Sequence, residues 1–132
     1  TEIEIHAHGL ELDADTSTLV LAPDAGGKYA LGAAELVPGL LKGQPLVILA
    51  ACHAGRTVTG AYKSWSLADA FLKAGARAVV ASPNPILDQD AGAFFAELDA
   101  RARASSAAQA LRDLRRQPDA PAWAGDLAVF VP

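Results

Sequence analysis

Leu46-Val47-Ile48-Leu49-Ala50-Ala51-Cys52-His53-Ala54-Gly55 is an apolar run closed by a thiol, an imidazole and a glycine. Unbroken apolarity over 46–51 predicts a strand buried on both faces, as in a parallel sheet sandwiched between helices. Upstream, residues 3–8 read as a second strand. Ile3, Ile5 and Ala7 alternate there with Glu2, Glu4 and His6, and the run ends in His8-Gly9. Placed as parallel neighbours, the two strands bring an imidazole and a thiol to one carboxyl edge. Ligands and chemistry collect at that edge in open α/β sheets, and a Cys/His pair there is the minimal equipment of a thiol hydrolase.

The rest of the chain supplies the layers. Thr18-Leu19-Val20-Leu21-Ala22, the turn Pro23-Asp24-Ala25-Gly26-Gly27 and the returning Lys28-Tyr29-Ala30 predict a β-hairpin. Ala33 to Leu41 is weakly helical and interrupted by Pro38-Gly39. Gly55 to Ser64 reads as a polar loop. Ser66 with Asp69 forms a capping box for a helix that carries Leu67, Phe71 and Leu72 on one face and stops at Gly75. Arg77 to Ser82 is the next strand, broken by Pro83-Asn84-Pro85. Asp88 or Asp90 then caps a long helix with Ala91, Phe94, Phe95 and Leu98 at helical spacing. Ser106 with Gln109 is a second capping box, before Leu111 and Leu114. Arg112, Arg115 and Arg116 fall near that helix's end, where cations suit its dipole. A final strand runs from Leu127 to Val131. The expected architecture is a three-layer α/β/α sandwich. Three or four parallel strands form most of its sheet, with a hairpin at the edge and an antiparallel last strand.

Composition narrows the function classes. A chain of 132 residues suits one domain with one core. With 52% hydrophobic and 20% charged residues it is globular rather than disordered. A formal charge of -4 argues against a nucleic-acid surface. No apolar run is long enough to span a bilayer, so a membrane partner is not expected. The single cysteine excludes an internal disulfide and suits a reducing, cytoplasmic compartment. The N-terminus shows no secretory signal. The chain contains no Met and begins almost in a strand, and we expect it to be part of a larger protein.

Chemistry singles out His8, Gly9, Cys52 and Gly55. A thiol attacks an amide usefully only as thiolate, which a neighbouring imidazole promotes. Gly9 lacks a Cβ to obstruct a substrate, and its N–H, with that of Cys52, is a candidate donor to an oxyanion. Two blander readings stand beside this one. A free cysteine is often simply buried packing, and His6 and His8, two apart on a strand, share a face where one can be a core histidine. A zinc site from His6, His8, Cys52 and His53 is a further alternative, although the spacings differ from the usual paired motifs. Arg56-Thr57 after Gly55 lacks the first Gly and the Lys of a phosphate loop. Trp65 and Trp123 read as core or cleft-wall aromatics.

Ile5-His6-Ala7-His8-Gly9 and Leu46 to Gly55 together resemble the His-Gly and Ala-Cys-x-x-Gly motifs of the CHAT domain, a member of the caspase-like clan of cysteine peptidases. Ser66 to Ser82 is similar to that family's helix–Gly–strand block, Pro85-Ile86-Leu87-Asp88 to the segment after it, and Pro121 to Phe130 to its closing strand. The hairpin at Leu19-Val20-Leu21-Ala22 also fits. The likeness runs in order along nearly the whole of 1–132, a single domain.

The resemblance implies a caspase-like topology and a cysteine endopeptidase with Cys52 as nucleophile and His8 as general base. Gly9 and Cys52 would supply the oxyanion N–H groups, and His6 would pack or hydrogen-bond beside the base. No metal or organic cofactor is implied. The implied partners are a protein or peptide substrate and a regulatory domain or partner that acts on the loops after Cys52. Asp88 lies near where clan members build a specificity pocket; its alternative role is that of a helix-capping carboxylate. The chain departs from the family where His53-Ala54 replaces Glu-Thr, which puts a second imidazole near the thiol or alters the substrate groove. It departs again where Pro83-Asn84-Pro85 replaces a large aromatic. The sheet is expected to lack N-terminal strands found earlier in clan members, which would expose an apolar edge. A second functional reading is therefore a non-catalytic interaction module on the same fold.

Overall fold

A computed structural model describes residues 1–13, 16–51, 58–59, 64–86 and 88–132; at 8–13, 16–17, 58–59, 64–65 and 88 the description is of the backbone. The elements in chain order are β1 (Glu2–His6), β2 (His8–Asp13), β3 (Thr16–Val20), β4 (Ala30–Gly32), β5 (Leu46–Ala50), β6 (Val58–Thr59), β7 (Ser64–Trp65), α1 (Leu67–Ala74), β8 (Ala78–Ala81), α2 (Asp88–Ala104), α3 (Ala107–Arg115) and β9 (Ala128–Phe130). Short 3₁₀ turns lie at Ala33–Glu35 and Ala122–Asp126.

The central sheet has the order β1-β5-β8-β9. β1, β5 and β8 run parallel, and β9 returns antiparallel to β8. Side-chain alternation along β5 shows why its sequence is apolar throughout. Leu46 and Ile48 pack under α2 and α3 with Phe95, Leu98, Leu111 and Leu114. Val47 and Leu49 face the other way, onto Leu67, Phe71 and Ala74 of α1 and Leu19 of β3. Both faces are covered, so a polar residue has no place on this strand. The expected α/β/α sandwich is what the chain forms.

Local signals explain the ends of α1. Ser66 Oγ accepts the Asp69 N–H at 3.2 Å, and the Ser66 N–H donates to the Asp69 carboxylate at 2.9 Å, closing the capping box. Gly75 ends the helix at φ 117°, a left-handed conformation that glycine adopts without strain. In the hairpin turn, the Asp24 carboxylate accepts the N–H groups of Gly26 and Lys28, which lets β3 return as β4.

Several expectations are corrected. The strand read over 3–8 is two strands. β1 ends at His6, opposite Ala50, and a last bond runs from the Ala7 N–H to the Ala50 carbonyl at 3.4 Å. Its partner β5 ends there too, so the ladder has nothing to continue along. His8 instead opens β2, which pairs antiparallel with β3 from His8 opposite Val20. The hairpin is thereby a three-stranded sheet, β2-β3-β4. The weak helix over 33–41 shrinks to the 3₁₀ turn Ala33–Glu35. At Ser106 only half of the second capping box forms. Ser106 Oγ accepts the Gln109 N–H, but the Gln109 amide turns to Asp113 at 2.8 Å. Within the polar loop, Val58–Thr59 and Ser64–Trp65 pair as β6 and β7.

Candidate active site

β1 and β5 determine the geometry of the candidate site. They lie side by side in parallel register, from Glu2 opposite Leu46 to His6 opposite Ala50, and so end at one edge of the sheet. β8 ends at the same edge, where buried Ser82 closes a tight turn. Its hydroxyl donates to the Asn84 carbonyl at 2.9 Å and accepts the Asn84 N–H at 3.1 Å. The 3₁₀ turn before β9 also sits at this end, because Ala128 pairs with Ala81, the last residue of β8.

The sequence-derived residues fall as follows. His8 and Gly9 are the first two residues of β2, and Gly9 stands opposite Leu19. His8 thus directly follows the carboxyl end of β1 at the point where the chain leaves the central sheet. Cys52, His53 and Gly55 lie outside the described residues, as does most of the loop 55–64. Asp88 is the first residue of α2 itself rather than the residue before it. Of the four zinc candidates, Cys52 and His53 lie outside the described residues. Among the described residues no group of three His, Cys, Asp or Glu is placed to hold a metal.

His6 is the described imidazole at this edge. It is about half exposed, with 52% of its side chain open to solvent. Its Nε2 hydrogen-bonds the Glu4 carboxylate, its neighbour on the same strand face. The ring meets Phe95 of α2 edge-on, with centroids 6.2 Å apart. His6 thus packs on Phe95 and hydrogen-bonds Glu4. Glu4 as its carboxylate partner went unread in the sequence, although spacing by two on a strand was the available signal. Behind Phe95 lies Trp123, stacked at 5.7 Å, with Phe94 edge-on to both rings.

The stronger charges gather at the opposite, amino end of β1. Glu2 lies 3.7 Å from Arg103 and 4.0 Å from Arg77. Arg103 also grips Asp99 at 2.6 Å. The Asp99 hydrogen bond, then the charges of Asp99 and Glu2, hold the Arg103 guanidinium above its ordinary pKa. Among the described residues, the carboxyl edge near His6 presents an imidazole, a carboxylate and an aromatic wall.

A family model described as CHAT domain matches residues 5–120. Among curated proteins, none matches the chain.

Proposed function

The chain belongs to the CHAT domain family, and from that membership we propose a cysteine endopeptidase in which Cys52, activated by His8, cleaves peptide bonds of a protein substrate. Its mostly parallel sheet with helices on both faces fits the caspase-like α/β fold. The observation that carries the proposal is the parallel ladder of β1 and β5, whose last paired residues are His6 and Ala50. In the sequence His8 comes two residues after His6 and Cys52 two after Ala50, and this equal spacing beyond the last pair supports the proposal.

In this reading His8 takes the thiol proton and the thiolate adds to the substrate carbonyl carbon. The N–H groups of Gly9 and Cys52 donate to the oxyanion. Collapse breaks the C–N bond, and the imidazolium gives its proton to the departing amine. A thioester remains on Cys52. Water, deprotonated by His8, adds to it and releases the carboxylic acid and the free thiol. No step uses a metal or organic cofactor. His53 and Asp88 border the substrate in this proposal, and a fused or partner module acting on the loop after Cys52 controls access. The family match supports a caspase-like, protease-related module.

Because the chain has one cysteine, alkylation reports on Cys52 alone. We expect iodoacetamide to modify it at neutral pH at least about tenfold faster than a free thiol of pKa near ~8.5. His8→Ala should remove that advantage, and Cys52→Ala should abolish cleavage of a peptide library. Alkylation at the rate of a small thiol, unchanged by His8→Ala, would leave the non-catalytic module, the reading favoured by His53-Ala54 in place of the family's Glu-Thr.

A further inference from the structure

We propose that the groove between α2 and the turn after α3 is a docking site for a basic, extended segment of a partner protein. The groove encloses about 250 Å³ and is lined by Asp90, Ala93, Phe94 and Glu97 on one side and by Leu114, Gln117, Asp119, Ala120 and Pro121 on the other. This is below the ~300–1,000 Å³ usual for small-molecule pockets. It suits one or two side chains of a docked segment.

Two features of the lining select the occupant. The floor is apolar and firm. Phe94 and Leu114 are nearly buried, and Phe94 is backed by Phe95 and Trp123. The rim is acidic, with Asp90, Glu97 and Asp119 and no cation among the lining residues. Glu97 is paired with Arg101 at 2.7 Å. Asp90 and Asp119 have no cation partner among the described residues, so their charge is open to a visitor. Arginine and lysine match such a surface, because their aliphatic stems lie along apolar surface while the head stays at the charged rim. A guanidinium over the face or edge of Phe94 adds a cation–π contact. An acidic or purely apolar segment would leave the carboxylates unmatched.

The probe is a fluorescein-labelled peptide of alternating arginine and leucine, titrated into the full chain and followed by anisotropy. A matched peptide with glutamate for arginine is the control. We expect saturable binding of the arginine peptide that weakens with added salt. Asp90→Asn and Asp119→Asn should each weaken it about two- to fivefold, as solvent-exposed ion pairs do, and together about tenfold. Ala93→Trp should block the groove without removing a charge. The alkylation rate of Cys52 should not change in any of these variants, which separates this proposal from the proposed dyad. Absence of saturable binding overturns it. So does equal binding of the glutamate peptide, or binding that survives the paired Asp variants. Should Ala93→Trp fail to fold, the Asp variants decide alone. Concentration-dependent dimerisation abolished by the Asp variants would make a second copy of this chain the occupant and overturn the partner-protein assignment.

Discussion

Two glycines show how one substitution takes opposite signs in this molecule. Gly75 closes α1 at φ 117°, and a Cβ built on it would stand 2.7 Å from the Leu41 carbonyl oxygen. That contact is with backbone, which cannot rotate away, and Leu41 is itself fixed by its N–H bond to the Ala74 carbonyl at 2.8 Å. Gly75→Ala therefore combines left-handed strain with a collision, and we expect a loss of about 2–4 kcal/mol in urea unfolding. Gly92 lies inside α2, and nothing is within 4 Å of its built Cβ. There alanine only restricts the unfolded chain and improves helix propensity. Gly92→Ala should raise stability by about 0.5–1 kcal/mol. Equal effects at both sites would contradict this account of the two backbones.

At the level of elements, one side chain adds polar bonds between α3 and the end of the sheet to the apolar packing of Leu111 and Leu114. The Arg115 guanidinium donates to the carbonyls of Ala124 at 2.9 Å and Gly125 at 3.2 Å, and to that of Leu127. It thereby holds the 3₁₀ turn that leads into β9. A planar fork can serve several carbonyls at once, whereas an ammonium cannot copy its geometry. Arg115→Lys should thus behave much like Arg115→Ala, each costing about 1–2 kcal/mol. Amide exchange at Ala128–Phe130 should quicken in both, and rescue by lysine would rule out the fork as the cause. Elements bounded by local chemistry were readable from sequence for the same reason that they are stable. Ser66, Asp69 and Gly75 announce both ends of α1, and the apolar runs announce β5 and β8. β2 went unread, although Leu10 and Leu12 alternate there with Glu11 and Asp13, and so did its boundary with β1. Residues 3–8 keep one alternation across Ala7, and the break arises only because β5 stops at Ala50. The half-formed box at Ser106 is similar, since Gln109 had a second acceptor, Asp113, one turn further along.

For the whole molecule, the decisive fact is that β5 belongs to both cores. Ile48 and Leu49 are adjacent, both fully buried, yet Ile48 packs under α2 and α3 while Leu49 packs on α1. Strand adjacency of this kind is a tertiary fact. The sequence shows two strand-like runs, one leading to His8 and one to Cys52, but the parallel pairing of β1 with β5 follows only from the way helices cover both sheet faces. The proposed dyad depends on that pairing, and β1, as an outer strand, has β5 as its one partner among the described residues. Loosening either helical layer should therefore loosen the edge proposed to carry the chemistry. Ile48→Ala and Leu49→Ala should each cost about 2–5 kcal/mol. Because the two layers share β5, both variants should lower one common unfolding midpoint, with tryptophan fluorescence and far-ultraviolet circular dichroism coinciding. If instead Ile48→Ala shifted a transition seen by one probe alone, the α2–α3 layer would unfold as a separate unit. In that case the sheet edge would owe its order to α1 and the hairpin side of the molecule.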